Sequence, residues 1–252
     1  AKADFDESGK IVNIDYSAHD KFMARHAPNG TILFHSLVSL NGTAPPFSSP
    51  WLKAYSSFLP LWIKHLKELG FGYENFAFYP VDEPGLEHGK NVNRFMKWAK
   101  LVREIDPKIR IYANPVAEIT MEQLEEMEPF VDIWTPMQTN IFSKEKLDFI
   151  HSTKTIWWNY DPSDNAKHLS PLAYYRGQAW MSWHNGHTGI GFWTYSGGKD
   201  FWFQPKSGFE YALTYEGKGV VTSKRWEAVR DGVEDFSLLN ALKKETNAAE
   251  KA

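Results

Sequence analysis

Phe76-Ala77-Phe78-Tyr79-Pro80-Val81-Asp82-Glu83-Pro84-Gly85 is the stretch on which the fold of this chain turns. An aromatic, strand-like segment delivers two adjacent carboxylates, Asp82 and Glu83, and Pro84-Gly85 breaks it at once. Strand ends that open into loops are where enzymes built on parallel barrels keep their reacting groups. A helix start explains the same letters, because Asp and Glu cap helices and Pro84 suits a first helical turn. The rest of the chain decides between the two readings.

On both sides of this stretch, strand and helix patterns alternate. Upstream, residues 4–30 alternate polar and apolar positions, with a turn at Glu7-Ser8-Gly9-Lys10, and residues 31–36 read as a buried strand. Tyr55, Phe58, Trp62, Leu66 and Leu69 recur at helical spacing up to Gly70, and Pro60 predicts a kink or a later start. Downstream, Val92, Phe95, Met96, Ala99 and Val102 line a helix stopped by Asp106-Pro107. Strands are expected over 75–79, 109–113, 131–135, 155–160 and 189–195. A Thr120/Gln123 capping box opens one intervening helix, another lies near 143–151, and Ser170-Pro171 opens a third. A last helix carries Trp226, Val229, Val233 and Phe236 on one face. Such alternation means βαβ units and a parallel sheet. Polar and aromatic residues gather at the strand ends, at His35, Asp82-Glu83, Asn114, Thr135, Tyr160 and Tyr195. With no glycine-rich phosphate fingerprint after any strand, the pattern fits a (β/α)8 TIM barrel better than a nucleotide-binding sheet. Six strands are readable where a closed barrel needs eight.

Composition narrows the function. A chain of 252 residues with net charge -3 and no basic run is not expected to bind nucleic acid. No apolar run is long enough to span a bilayer. Zero cysteines excludes disulfides and thiolate metal sites. The first residues carry no signal peptide, although one could have been removed, and a secreted or cell-envelope location is favoured over the cytoplasm. The aromatic content, 11 Trp, 11 Tyr and 17 Phe, offers flat faces on which sugar C–H groups stack. Paired carboxylates beside such faces suit general acid cleavage of glycosidic bonds.

The segment Tyr79-Pro80-Val81-Asp82-Glu83-Pro84 resembles the Asp-Glu-Pro signature of glycoside hydrolase family 123. The stretch from Thr222 to Phe236 resembles that family's R-x-E-x-x-R-D-G-x-E-D helix, and Trp157-Trp158-Asn159-Tyr160 and Arg176-Gly177-Gln178-Ala179-Trp180 are similar to segments between the two. The resemblance runs from Asp4 to Leu242. It implies a retaining β-N-acetylgalactosaminidase on a (β/α)8 barrel. In the family the acidic pair ends the fourth strand, and here it ends the second that can be found. The chain is therefore expected to be a single catalytic domain over residues 1–252, incomplete at its N-terminus, holding barrel strands three to eight. The family's N-terminal β-sandwich is not in it.

The resemblance further implies substrate-assisted cleavage of β-linked N-acetylgalactosamine or another N-acetylhexosamine, without cofactor. Glu83 would act as general acid and base, and Asp82 would orient the 2-acetamido group of a glycan or glycoconjugate. Both carboxylates can reach one pocket only if the strand ends or bulges near Val81-Asp82, since strand side chains alternate in direction. Tyr160 is expected at the acetamido carbonyl, Trp134, Trp158 and Trp193 as pocket walls with Tyr195 on the face of Trp193, and His35 and Asn114 at sugar hydroxyls.

Two other readings stay open: a two-carboxylate glycosidase with Asp132 or Asp161 as nucleophile, and a glycan-binding barrel without catalysis. No metal site is expected, because His184 and His187 lack an evident third ligand. The charges of Arg225, Glu227, Arg230, Asp231, Glu234 and Asp235 read as a solvated helix face with ion pairs to neighbouring loops. Oligomeric state is not legible.

Overall fold

A computed structural model describes residues 1–27, 30–35, 40–41, 45–86, 89–137, 142–161, 170, 172–192, 195 and 213–249. They form two compact units: Ala1–Ala113 with Glu118–Ile133, and Asn114–Ala117 with Trp134–Ala252.

The first unit opens with β1 (Lys2–Phe5) and β2 (Ile11–Asp15), an antiparallel hairpin. Asp6 Oδ1 closes its turn by accepting from the Ser8 and Lys10 amides at 2.9 Å each. Next come α1 (Ser17–His26), β3 (Ile32–His35) and β4 (Leu40–Asn41), the last pairing parallel with β1. Then α2 (Ser49–Glu68) leads to β5 (Phe76–Tyr79), and α3 (Lys90–Ile105) to β6 (Tyr112–Ala113) and α4 (Met121–Met127). β3 and β5 are parallel, with Ile32 opposite Phe76 and His35 opposite Tyr79. The sheet continues through Phe78, paired parallel with Ile111, and through the amides of Asp132 and Ile133, which donate to the Ile111 carbonyl at 2.9 and 3.1 Å.

Aromatic side chains hold the helices to these strands. Trp62 of α2 meets Phe34 and Phe76 edge-on at 5.2 and 5.1 Å between centroids, and Trp98 of α3 meets Phe78 at 5.8 Å. Trp62, Phe76 and Phe78 are 1 % exposed or less, and each such side chain contributes roughly 2–3 kcal/mol of burial. α2 begins at Ser49, earlier than the pattern suggests, and runs unbroken through Pro60. Pro60 and Ser56, whose carbonyl loses its donor to the ring, both lie on the exposed face, where water replaces the missing bond. Leu69, expected on the buried face, is 41 % exposed because the helix stops one residue before it.

β7 (Ile133–Trp134) ends the first unit at Ile133, and from Trp134 the second continues through α5 (Lys144–Ser152), β8 (Ile156–Tyr160), a π-helical turn (Leu172–Arg176), α6 (Gly177–His184) and β9 (Gly189–Gly191). A hairpin of β10 (Thr214–Glu216) and β11 (Val220–Thr222) precedes α7 (Lys224–Ala249). β8 and β9 are parallel, and Met137 bridges parallel to Tyr160. Strand and helix thus alternate around parallel pairs, the α/β class expected. α7 seats a face shifted from the one the periodicity suggests: Val229 is buried and Trp226 packs against its cluster, as expected, but Val233 is not part of the contact. Ala228, Val229 and Gly232 are buried, whereas Val233 is 49 % exposed. A Cβ on Gly232 would lie 2.9 Å from the Arg176 carbonyl oxygen, so a glycine is what lets α7 approach this closely.

Beside that contact, the Arg176 guanidinium grips Asp235 through two bonds of 2.6 and 2.9 Å, and the Trp180 indole donates to the same carboxylate at 2.8 Å. Asp235 is therefore held below the ordinary carboxylate range by Arg176 first and Trp180 second. Asp235 thus anchors α7 to the Arg176-to-Trp180 segment. Arg230 and Glu227 pair with each other along the solvated side of the helix, where pairs to neighbouring loops were expected.

Candidate active site

All four residues of β5 are buried, and the strand ends at Tyr79, where Pro80 supplies no amide to continue the ladder. The backbone then bends through Val81, Asp82 and Glu83. Glu83 has φ +49°, in the left-handed region that costs a non-glycine residue roughly 1–2 kcal/mol. Strain of this kind persists only where the surroundings over-determine it, and it gathers at functional sites. Here the turn is closed by the Leu86 amide donating to the Glu83 carbonyl at 3.2 Å. Gly85, at φ +108°, lies against Ile119, where a Cβ would fall 3.0 Å from Ile119 Cβ and 3.1 Å from its amide nitrogen. The bend removes the strict alternation of a strand, which is what two consecutive carboxylates need in order to act together.

Asp82 is exposed and accepts a hydrogen bond from the Tyr79 hydroxyl. The Tyr79 ring, 8 % exposed, is clamped by His35 at 3.9 Å and by the edge of Tyr112 at 4.7 Å. His35 reaches it because it is register partner to Tyr79 on the adjacent strand. Partial burial lowers the proton affinity of His35, and the Asp82 carboxylate opposes that shift. Glu83 is half-buried, and its pKa is raised, first by burial, then by the Asp82 charge and by Glu118, the residue before Ile119. An acid that keeps its proton above the usual range, beside a carboxylate held by a phenol, is the electrostatic layout of a general acid with a charged neighbour. Tyr79 and Glu118 escaped the sequence reading. Tyr79 could have been found from its place three residues before Asp82 at a strand end, whereas nothing local marks Glu118.

Of the remaining expected residues, all but Asp132 belong to the second unit. Asn114 is 3 % exposed, and Trp134 is fully buried with no protein partner for its indole N–H. Trp158 and Tyr160 lie half-buried over the neighbouring strand: a Cβ on Gly189 would fall 2.7 Å from Trp158 Cδ1, and one on Gly191 3.1 Å from Tyr160 Cδ2. Two glycines of β9 therefore make the floor on which these rings rest. Tyr195 is half-exposed, its ring edge-on to Trp226 at 5.4 Å, and Trp193 lies outside the described residues. Asp161, at the end of β8, accepts from Gln178 Nε2 at 3.1 Å. Asp132 sits at the opposite, entering end of its strand, paired with Arg103 at 2.6 Å and accepting the Ile111 amide at 2.7 Å. Those bonds give Asp132 a structural task.

Among the described residues, only His19, Asp20 and His65 bring three metal-type ligand atoms within 4.8 Å of one another. His19 Nε2 accepts the Trp62 indole N–H at 3.0 Å, so its proton sits on Nδ1, facing Asp20. His65 Nε2 meets the same Asp20 oxygen at 2.8 Å. This is a hydrogen-bonded chain, with no lone pair on His19 left for a cation.

A parallel α/β framework carrying a Glu whose pKa is raised beside a phenol-bound Asp at a strand end is an arrangement suited to acid-base chemistry. Residues 15–242 match the family model described as glycoside hydrolase 123, catalytic domain, and the chain belongs to that family. A comparison with curated proteins found no match. Among solved structures, the chain is similar to an endo-β-1,4-mannanase from Thermotoga petrophila (13 % identity, TM-score 0.46, covering 75 % of this chain and 51 % of that one). A family 5 mannosidase from Rhizomucor miehei gives 12 % identity and TM-score 0.42 over 68 % of this chain and 53 % of that one. A xylanase of family 10 with a bacterial Ig-like domain, from termite gut, gives 10 % and 0.46 over 94 % and 68 %. The chain spans about half the length of the first two.

Proposed function

We propose that this chain is the catalytic part of a retaining glycosidase that releases terminal β-linked N-acetylgalactosamine, or a closely related N-acetylhexosamine, with help from the substrate's own acetamido group. The observation that carries the reading is the pair itself: Glu83 with its proton affinity raised, directly after an Asp82 held by Tyr79. Glu83 donates its proton to the glycosidic oxygen as the bond to the anomeric carbon breaks. The acetamido carbonyl oxygen closes on that carbon, giving an oxazolinium ion and freeing the aglycone. Asp82 accepts the acetamido N–H and stabilises the positive charge that develops. Glu83, now a carboxylate, takes a proton from water, which opens the ring at the anomeric carbon with net retention.

The reading extends to the surroundings. His35 and Asn114 bind sugar hydroxyls, Tyr160 meets the acetamido carbonyl, and Trp158, Trp193 and Tyr195 wall the sugar, whereas Trp134, expected among them, has no exposed surface to offer it. On this reading β3, β5, β6, β7, β8 and β9 correspond to barrel strands three to eight. The test is hydrolysis of a chromogenic β-N-acetylgalactosaminide and the matching β-galactoside by wild type, Asp82→Asn and Glu83→Gln. Cleavage of the acetamido sugar alone, lost in both variants, is the expected result. Equal cleavage of both sugars, or an Asp82→Asn variant as active as wild type, would sink substrate assistance.

A further inference from the structure

Tyr160 stands between two residues whose side chains leave β8 on the other side. Trp158 and Tyr160 lie over Gly189 and Gly191, their register partners on β9, so Asn159 and Asp161 face away from those glycines. Asp161 still belongs to the ladder, because its amide donates to the Gly191 carbonyl at 3.2 Å. On that far side one residue of α6 holds both neighbours of Tyr160. Asn159 Nδ2 donates to Gln178 Oε1 at 2.5 Å, and Gln178 Nε2 donates to Asp161 Oδ2 at 3.1 Å. A carboxylate only accepts, so Asp161 fixes which way round the Gln178 amide sits. Asn159 and Gln178 are 1 % and 5 % exposed, a setting in which water cannot easily stand in for a lost bond. The Tyr174 hydroxyl adds a further tie, donating to the Asp161 carbonyl at 2.9 Å.

Gln178 is itself held. It lies between Arg176 and Trp180, the two side chains that α7 grips through Asp235. A chain of bonds thus runs from Asp235, through the start of α6, to both sides of Tyr160. In front, the Tyr160 ring rests over Gly191, where a Cβ would fall 3.1 Å from Tyr160 Cδ2. Tying α6 to β8 needs only one bond to the strand. Two bonds, to the residues directly before and after Tyr160, fix the twist of the strand end and with it the direction in which the Tyr160 side chain leaves.

We infer that Gln178 is a positioning residue that sets the Tyr160 hydroxyl for the acetamido carbonyl, with Asp161 serving this brace and not acting as a nucleophile. What Tyr160 touches rests on the glycosidase reading; the brace itself rests on the bonds of Gln178.

The test is steady-state hydrolysis of the chromogenic β-N-acetylgalactosaminide by the full chain, with circular dichroism to confirm folding. Gln178→Met keeps the length of the side chain and removes both bonds. A misplacement of about 1 Å costs on the order of 10²-fold, so kcat should fall about 10- to 100-fold with KM little changed. Combining Gln178→Glu with Asp161→Asn exchanges the carboxylate and the amide, so that both neighbours of Tyr160 donate to position 178. That exchange should return kcat to within about threefold of wild type. In a Tyr160→Phe background, Gln178→Met should cost less than about twofold further, because the brace acts through the hydroxyl. Equal losses in the two backgrounds, the mark of a merely structural tie, would overturn the positioning role. So would a Gln178→Met enzyme within about twofold of wild type, or a folded but inactive exchange variant, which would return Asp161 to the chemistry. A wild type that cleaves no acetamido sugar would instead sink the glycosidase reading, and the brace is then read without turnover. In the chain labelled with ¹³C-tyrosine, the Tyr160 ring signals should move in Gln178→Met and return in the exchange variant; signals that stay in place would overturn the brace.

Discussion

Replacing Tyr79 by Phe removes one oxygen and leaves the ring between His35 and Tyr112, so the change isolates the hydrogen bond to Asp82. A hydrogen bond to a charged group contributes about 1.5–3 kcal/mol. If Asp82 must be held in place as charge develops on the substrate, that energy appears in the activation barrier, where 1.36 kcal/mol is tenfold in rate. The expected loss in kcat for Tyr79→Phe is therefore about 10- to 150-fold, with KM little changed. The melting temperature should move little, because the ring contacts remain. Steady-state kinetics on the chromogenic N-acetylgalactosaminide, with circular dichroism to confirm folding, reads both quantities. Tyr112→Phe serves as control, since Tyr112 meets Tyr79 through its ring edge. A double-mutant cycle sharpens the test: in an Asp82→Asn background, Tyr79→Phe should cost almost nothing further. A folded Tyr79→Phe enzyme within about twofold of wild type, or equal losses in both backgrounds, would refute the positioning role.

Two further outcomes follow from the electrostatics. The proton on Glu83 is held by burial, Asp82 and Glu118, so the alkaline limb of kcat/KM should lie above the ordinary Glu range and move to lower pH in Glu118→Gln. An unmoved limb would show that Glu118 does not act on the acid. His187 has a folded-state pKa lowered from 6.5 to about 4, so its contribution to stability is complete above pH 6.5 and is lost as pH falls toward 4. The loss amounts to about 3 kcal/mol. Urea unfolding of wild type and His187→Asn at pH 7 and pH 4 should show that extra acid sensitivity in wild type alone, and equal sensitivity in both would remove the assignment.

The α/β alternation was legible because each element announces itself locally. The Thr120/Gln123 capping box forms as written, with the Thr120 amide donating to Gln123 Oε1 at 3.0 Å and the Gln123 amide to Thr120 Oγ1 at 3.2 Å. Ser170 likewise opens the turn before α6, its carbonyl accepting the Tyr174 amide at 2.9 Å. The β1–β2–β4 sheet was not foreseen, since β4 spans two residues and its pairing with β1 joins positions far apart in sequence. Val233 was misplaced on α7 for a related reason. Helical periodicity ranks residues by hydrophobicity, and the face that docks is the one where Gly232 lets backbone meet backbone.

The candidate site divides along the same line. Asp82 and Glu83 could be picked out because two carboxylates before Pro-Gly at a strand end are rare and chemically loaded. What makes them work together could not, because it is geometry between segments. His35 meets Tyr79 only through the β3–β5 register, in which a slip of one residue would turn His35 to the other face. Glu118 bears on Glu83 because Ile119 packs where Gly85 has no side chain, a contact between loops more than thirty positions apart. The left-handed backbone of Glu83 is not a preference of glutamate, so it must be imposed, and the closing bond from Leu86 and the packing at Gly85 are the features that impose it. A side chain at Gly85 would thus act on the acid without touching it. It would press on Ile119, relax the bend, and let Glu83 leave the half-buried position that keeps its proton in place.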